Sequence, residues 1–136
     1  MNKKCFIAML MLFLILTMQS PVLSATRHAE GFDAFKTRLT KAVNANDRAM
    51  ITSLMSEQFQ WSTSSKKVSP REGLRNMDEF KLWKDFKKAL KAGKIEKFSD
   101  SSCKDNCYMI YNPKSPVMYI IQKIDNEWKW TELRGD

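Results

Sequence analysis

The end of the chain carries the pattern that most restricts the fold, a long hairpin with large apolar side chains on both faces. The segments Val117–Ile124 and Glu127–Arg134 are predicted to be two strands joined at Asp125 and Asn126. Asp and Asn tolerate the positive φ of a two-residue type I′ turn. Because a sheet with one wet face does not need apolar side chains on both sides, one face should meet helices. The other face must be covered by chain, by a ligand or by a second subunit.

Regular pairing across this turn predicts which side chains share each face of the hairpin. On one face, Ile124 would pair with Glu127, Gln122 with Lys129, Ile120 with Thr131 and Met118 with Leu133. On the other face, Lys123 would pair with Trp128, Ile121 with Trp130 and Tyr119 with Glu132. The pairing of Lys123 with Trp128 also suits a cation–π contact.

Two helices and a strand are predicted ahead of the hairpin. Apolar residues in Phe32–Asn44 recur at i, i+3, i+7 and i+11, which is typical of one face of a helix. Asp47 is suited to cap a short second helix that continues to about Met55. Apolar and polar residues then alternate over Phe59–Thr63, which predicts a strand followed by a polar loop up to Val68.

A third helix has a well-defined start. Ser69 is suited to cap it, Pro70 to occupy the first helical position, and Glu72 to close a capping box. The helix is predicted to continue to Ala92. Its apolar residues recur mostly in steps of three, which drift by about 60° each on a helix of 3.6 residues per turn. Either the apolar stripe therefore wraps around the helix, or the helix breaks near Asn76.

The remaining segments complete the order of helices and strands. Ile95–Ser99 predicts a weak strand, Cys107–Tyr111 a stronger one, and Asn112–Pro116 a turn. The predicted order is therefore α-α-β-α-β-β-β. An order of this kind favours an α+β domain, with N-terminal helices packed on a curved antiparallel sheet. We assign this single domain to residues 26–136.

The start of the chain has the layout of a secretory signal peptide. Lys3 and Lys4 precede an uncharged apolar run, Cys5–Met18, and Pro21 and small residues follow. The apolar run is shorter than the roughly 20 residues that span a bilayer. We expect residues 1–25 to be removed and the mature chain to reach the periplasm or the cell exterior, without stable membrane insertion. An uncleaved anchor is the alternative.

Removal of this leader changes the charge and the cysteine count. The full chain has 23 Lys and Arg against 15 Asp and Glu, and the mature chain would have 21 against 15. Only Cys103 and Cys107 would remain, in the run C-K-D-N-C. Close cysteine pairs in exported proteins usually form disulfides, so we predict that bond, with a reduced or redox-active pair as the alternative. A metal site is not expected, because His28 is the only histidine.

Several segments resemble the NTF2-like superfamily, whose folds open with two helices and a strand and end in a hairpin. The resemblance is carried by Ala42–Asp47, Leu54, Phe59–Trp61, Glu72–Leu74 and Ile124–Trp130. It implies a cone-like sheet around an apolar pocket and, for some members, lyase or isomerase activity on a small apolar substrate. Catalytic members often place Asp, His or Tyr in that pocket, and no residue of this chain is assigned to such a role.

Residues for most enzyme chemistries are missing or engaged elsewhere. His28 lies in a polar start and both mature cysteines are predicted to be bonded, so a hydrolase triad is not expected. The sequence has no G-x-S-x-G, P-loop or G-x-G-x-x-G motif. Asp33, Glu57 and Glu132 have no predicted structural role, so a buried carboxylate acting as a general base stays open. We favour a non-catalytic protein without a cofactor.

Lysines form the most visible surface feature of the predicted third helix. Lys81, Lys84, Lys88 and Lys91 would share one face of it, while aromatic and leucine side chains occupy the other. A solvated face above a core stripe is one interpretation, and attraction of an anionic partner is the other. Such a partner would be an acidic protein, lipid head groups or an envelope polymer. Nucleic acid is not expected, because the aromatic side chains point away from the lysines.

Aromatic side chains on the strands form a second candidate surface. Trp61, Tyr119, Trp128 and Trp130 would line a wall that is either a ligand surface or part of the core. The sequence thus predicts an exported, non-catalytic binding or accessory domain that uses an apolar pocket or a sheet face. The same sheet face would suit a homodimer. An interaction factor of the inhibitor or immunity type and an NTF2-like enzyme are the alternatives.

Overall fold

The computed structural model describes residues 30–61, 66–101 and 103–135, and the predicted leader lies outside them. These residues contain four helices, which are α1, Phe32–Asn44; α2, Arg48–Leu54; α3, Pro70–Glu79; and α4, Trp83–Ala92. They also contain six strands, which are β1, Met55–Trp61; β2, Lys66–Val68; β3, Lys94–Asp100; β4, Cys103–Tyr111; β5, Val117–Ile124; and β6, Glu127–Gly135. The α+β class expected from the sequence is confirmed.

The helix starts and the first apolar stripe follow the sequence pattern. α1 buries Phe35, Leu39 and Val43, which recur four residues apart and face the core. Asp47 caps α2 and Ser69 caps α3. Each of these side chains accepts a hydrogen bond from a backbone N–H three residues further on, at 3.0 and 3.2 Å. Both caps were expected, because they satisfy N–H groups that have no partner within the helix.

The predicted third helix is in fact two helices, and the break lies after Glu79 rather than near Asn76. Lys81 follows with φ of 56°, a left-handed conformation that ends the helix. Trp83, the first residue of α4, donates from Nε1 to the carboxylate of Asp78 at 2.7 Å and so links the two helices across the turn. Lysine gives no sequence signal for positive φ, which is why the break was placed too early.

The six strands form one sheet in the order β2-β1-β6-β5-β4-β3. Neighbouring strands run antiparallel except β1 and β6, which are parallel. The curved sheet is therefore mixed, which corrects the expectation of antiparallel pairing at this one junction. The alternation of apolar and polar residues is the same in parallel and in antiparallel strands. The sequence pattern therefore does not reveal the direction of β1 relative to β6. A second correction is β2, which pairs with β1 where a polar loop was expected.

The C-terminal hairpin forms as predicted near its turn and then shifts by one residue. Asp125 and Asn126 have φ of 47° and 67°, the positive values expected of this turn. Pairing follows the prediction as far as Ile121 with Trp130. Thr131 is then the extra residue of a β-bulge, so every later pair differs from the regular register.

This bulge corrects three predicted pairs. Instead of Ile120–Thr131, Met118–Leu133 and Tyr119–Glu132, the structure pairs Ile120 with Glu132, Met118 with Arg134 and Tyr119 with Leu133. The shift has a packing reason, because it brings Leu133 into the core beside Trp130 and turns Glu132 to the opposite face. Regular pairing would have placed that carboxylate among apolar side chains, which is costly without a partner.

Aromatic side chains fill the space between the helices and the sheet. The ring of Phe86 on α4 lies 4.2 Å from that of Tyr119 and 4.5 Å from that of Trp130, centroid to centroid. Phe59 of β1 lies 5.0 Å from Trp130. All four side chains are fully buried. Burial of an aromatic side chain of this size contributes about 2 to 3 kcal/mol, so this cluster is a main source of stability.

The face of the sheet away from the helices, here called the outer face, is covered in part by the chain itself. Ile120 lies on this face and is only 3% exposed. Arg134 of β6 reaches Asp100 of β3 at 3.2 Å, although a flat sheet would separate strands at these positions by about 14 Å. The end of the β3–β4 hairpin, which contains the Cys103–Cys107 disulfide, therefore folds over the outer face.

Gly93 joins α4 to β3 where two backbones approach closely. A Cβ atom there would lie 2.5 Å from the carbonyl oxygens of Ala89 and Tyr111, whereas at Gly73 of α3 its nearest contact would be the flexible end of Met55 at 3.0 Å. We expect Gly93→Ala to lower the free energy of unfolding by about 2 kcal/mol. Gly73→Ala should cost less than about 1 kcal/mol, because alanine also favours the helix. Urea unfolding compares the two, and equal losses would contradict a backbone clash at Gly93.

Candidate functional site

α4 carries an apolar face and a lysine face. Phe86 and Leu90 are buried on its inner side, against the sheet and α1. Lys84, Lys88 and Lys91 are exposed on the outer side, at positions that repeat every three to four residues. The burial of the inner face fixes the direction in which the lysines point, so the core positions the basic surface.

One open groove brings part of this lysine face together with the loop between β4 and β5. This groove, here called the lysine groove, has a volume of about 680 Å³ and is lined by Asp85, Lys88, Lys91, Ala92, Asn112, Lys114, Ser115 and Pro116. Of the other two predicted lysines, Lys84 lies one turn earlier on α4 and Lys81 lies in the preceding turn. Among the residues that the structure describes, the three groove lysines form no ion pair.

A carboxylate at the base of the groove connects it to the core. Asp85 accepts hydrogen bonds from the Tyr119 hydroxyl and from the Asn112 side-chain amide, both at 3.0 Å. Burial, and then the negative charge of Asp85, raises the pKa of Tyr119 well above its usual value of 10.0. The phenol therefore stays protonated and donates to Asp85. Asp85 thus links α4 to β5 through Tyr119 and to the following loop through Asn112.

The loop that forms the far wall of the groove is held by its own hydrogen bonds. The Asn112 side-chain oxygen accepts from the Lys114 N–H at 3.2 Å. Its main-chain carbonyl accepts from the Ser115 N–H at 2.9 Å. Ser115 Oγ in turn accepts from the Val117 N–H at 3.2 Å. These are local turn interactions typical of Asn and Ser. They place Lys114 opposite α4 before any ligand is present.

The aromatic residues proposed from the sequence lie mainly in the core and do not form one surface. Tyr119 and Trp130 are fully buried, and Trp128 is 8% exposed. The Lys123 ammonium lies 5.9 Å from the Trp128 ring, in the cation–π arrangement expected from their pairing. Trp61 is half-buried at the end of β1. A ligand would therefore reach only Trp61 without disrupting the core.

The three carboxylates without a predicted role are not arranged as a catalytic site. Glu132 is buried on the outer face and binds the Arg134 guanidinium through both oxygens, at 2.8 and 3.0 Å. This hydrogen bonding raises the pKa of Arg134. Asp33 and Glu57 are exposed. A buried carboxylate acting as a general base, the arrangement left open by the sequence, is not found at these three positions.

Sequence reasoning identified Lys88 and Lys91 but missed the rest of the lysine groove. Asp85 had no predicted part in a binding site, and the segment from Asn112 to Pro116 was predicted only as a turn. Its Pro and Asn content signalled a tight loop with Lys114 at its tip. What the sequence did not show is that this loop packs against α4, a contact between residues 27 positions apart.

Comparisons with known proteins give a likeness of fold. No family model and no curated protein matches the chain. A solved NTF-2 like protein of unknown function from Shewanella oneidensis is 18% identical, with a TM-score of 0.40, over 74% of this chain and 91% of the other. A structure proposed as a ketosteroid isomerase from Shewanella frigidimarina is 13% identical, with a TM-score of 0.39, over 75% and 91%.

A third solved structure, a domain of unknown function with a cystatin-like fold from Nostoc punctiforme, is 14% identical. Its TM-score is 0.37, over 74% of this chain and 71% of that one. The likeness of these structures to this chain concerns the fold alone. Within the described residues, none of the helices has the length and apolar character that a membrane crossing requires.

The raised pKa of Tyr119 predicts a pH dependence of stability. Below pH 10 the tyrosine is protonated in both the folded and unfolded chain, and above pH 10 it ionises first in the unfolded chain, so its contribution falls as the pH rises. We expect Tyr119→Phe to lower the free energy of unfolding by about 1 kcal/mol at pH 8, and this loss to disappear near pH 11. Urea unfolding at both pH values measures the difference.

Tyr111→Phe is the matched control for this measurement. The Tyr111 hydroxyl donates to Glu96 at 2.6 Å on the exposed surface, and this bond raises the pKa of Tyr111 as well. Because solvent screens an exposed pair, its removal should change stability less between pH 8 and pH 11 than Tyr119→Phe does. Lysine titration is common to both variants and cancels in the comparison. A Tyr119→Phe loss that stays constant from pH 8 to pH 11 would contradict a phenol held neutral by burial.

Proposed function

We propose that the protein is an exported, non-catalytic binding domain that holds an anionic partner in the lysine groove. The observation that carries this proposal is the convergence of Lys88, Lys91 and Lys114 on one groove without ion-pair partners among the described residues. Asp85 is the one acidic residue that lines the groove, so the three ammonium groups leave an excess of positive charge that favours an anionic ligand. The link from Asp85 to Tyr119 and Asn112 holds both walls in place.

The filled interior supports binding at the surface rather than in a central pocket. An NTF2-like lyase or isomerase would need an apolar cavity between the helices and the sheet for its small substrate. In the described residues this region is occupied by Phe59, Phe86, Tyr119 and Trp130. The Phe86 ring lies in van der Waals range of two of its neighbours. The lysine groove is, in contrast, open and lined by charged side chains.

The cysteine pair supports the exported part of the proposal. Cys103 and Cys107 are joined in a disulfide with Cα atoms 6.2 Å apart, a bond that persists in oxidising compartments. We expect the secreted protein to begin near residue 26 and to contain no free thiol. Mass spectrometry of the alkylated protein, with and without prior reduction, measures the start of the chain and the number of free thiols. Two alkylated cysteines without reduction, or an intact leader, would contradict the assignment.

The binding test compares two double variants, one in the lysine groove and one elsewhere on α4. Lys88→Ala with Lys114→Ala removes two charges from the groove, and Lys84→Ala with Lys87→Ala removes two exposed charges from elsewhere on α4. With poly-L-glutamate as the anionic probe, we expect the groove pair to weaken binding about fivefold, from about 0.5 kcal/mol per exposed ion pair. The control pair should change it less than twofold.

The salt dependence of binding and a neutral polymer complete this test. Binding of the unmodified protein should weaken as sodium chloride is raised, because salt screens exposed charges, and poly-L-glutamine should not bind. If both lysine pairs weaken binding equally, net charge and not the groove attracts the anion. That result would overturn the proposal.

A further inference from the structure

A second groove lies beside the first and shares a lysine with it. This groove has a volume of about 810 Å³ and runs between α1 and α4. It is lined by Lys36, Thr37, Thr40, Lys41, Asn44, Ala45, Leu90 and Lys91. Because Lys91 also lines the lysine groove, the two grooves adjoin at this side chain and together make a basic path across α4.

This path, here called the basic track, contains Lys36, Lys41, Lys91, Lys88 and Lys114. Within the described part of the chain, these five lysines form no ion pair. Neighbouring helices lie about 10 Å apart, so the track from α1 across α4 to the loop is about 20 Å long. An extended peptide covers about 3.3 Å per residue, and about six residues would therefore span it.

The shape and chemistry of the track distinguish between anionic partners. Both halves are recessed grooves, whereas a planar lipid surface would contact lysines on a flat or protruding face. The exposed Ala45 lines one half, and the exposed Ala92 and Pro116 line the other. Apolar surface of this kind complements side chains between the acidic residues of a polypeptide, and a uronic acid chain offers no equivalent. No aromatic ring is among the residues that line either groove.

The cations of the track are lysines and include no arginine. Arginine binds carboxylate or phosphate in a fixed two-pronged geometry, and lysine acts as a mobile point charge. A row of lysines therefore suits carboxylates that are spaced along a flexible chain. Asn44 adds an exposed amide side chain that makes no hydrogen bond within the described residues, and it is available to bond to a main-chain amide.

We propose that the basic track binds an extended acidic segment of a partner polypeptide, about six residues or longer. This inference rests on the proposed function, since the lysine groove is one half of the track, and it adds the length and class of the ligand. The second half, built on α1, would then bind the continuation of the same chain rather than a separate ligand.

The test uses two capped peptides, tri-glutamate and octa-glutamate, with the folded protein and three variants. Lys36→Ala with Lys41→Ala removes the α1 half, Lys88→Ala with Lys114→Ala removes the loop half, and Lys84→Ala with Lys87→Ala is the control. We expect one octa-glutamate per protein, bound at least tenfold more tightly than tri-glutamate. Each half-track variant should weaken it about fivefold, from two lost ion pairs, and the control less than twofold.

The outcomes separate the two proposals. If octa-glutamate binds no more tightly than tri-glutamate, or binds with two copies per protein, the track is wrong while the lysine groove stands. If Lys88→Ala with Lys114→Ala is no worse than the control for either peptide, both proposals fail. If the protein with Lys36→Ala and Lys41→Ala does not fold, Lys41→Ala alone replaces it, because Lys41 is exposed. This single substitution should weaken the binding of octa-glutamate about twofold.

Two other anions test the class of partner. Octa-galacturonate presents a similar row of carboxylates without main-chain amides, and phosphatidylglycerol vesicles present a planar anionic surface. We expect both to bind more weakly than octa-glutamate. Tighter binding of either one would overturn the assignment to a polypeptide.

Discussion

The contact of Phe86 with Tyr119 and Trp130 is the interaction on which the rest of the structure depends. It joins α4 to two strands of the hairpin at ring distances of 4.2 and 4.5 Å. The same contact sets the surface chemistry, because a helix that buries Phe86 on one side must present Lys88 and Lys91 on another. Tyr119 extends this link outward, since its ring lies in the core and its hydroxyl binds Asp85 beside the groove.

The bulge at Thr131 resolves a conflict that the sequence contains. A regular hairpin cannot bury Trp130 and Leu133 on one face, because residues an odd number apart alternate between faces. One extra residue between them restores both to the helix-facing side. Glu132 is then turned to the outer face, where it meets Arg134. The apolar pattern on both faces of the hairpin thus has two explanations, a helical layer on one side and the folded β3–β4 end on the other.

Sequence patterns over a few neighbouring residues predicted most helices, strands and turns. They did not predict contacts between residues that are far apart in the chain. The stripe of α1, the caps at Asp47 and Ser69, and the turn at Asp125 all depend on neighbours within a few residues, and all were predicted. The parallel pairing of β1 with β6 depends on residues some 70 positions apart, and no local pattern encodes strand direction. The lysine groove is an intermediate case. Lys88 was visible as part of a basic face, but its neighbour across the groove depends on where the loop packs.

The positions of the lysines are less constrained by the fold than the positions of the apolar residues. Apolar positions are fixed by packing, and a lysine on an exposed helix face costs little stability wherever it stands. Exposed lysines are therefore free to vary in position without harm to the fold, and their alignment along two adjoining grooves is not required by it. The walls are joined by the hydrogen bond from Asn112 to Asp85, while a lysine ammonium is carried on a flexible stem. Under the proposal, such a surface would attract an anion over a long range and would distinguish ligands by the length of the chain that follows the track.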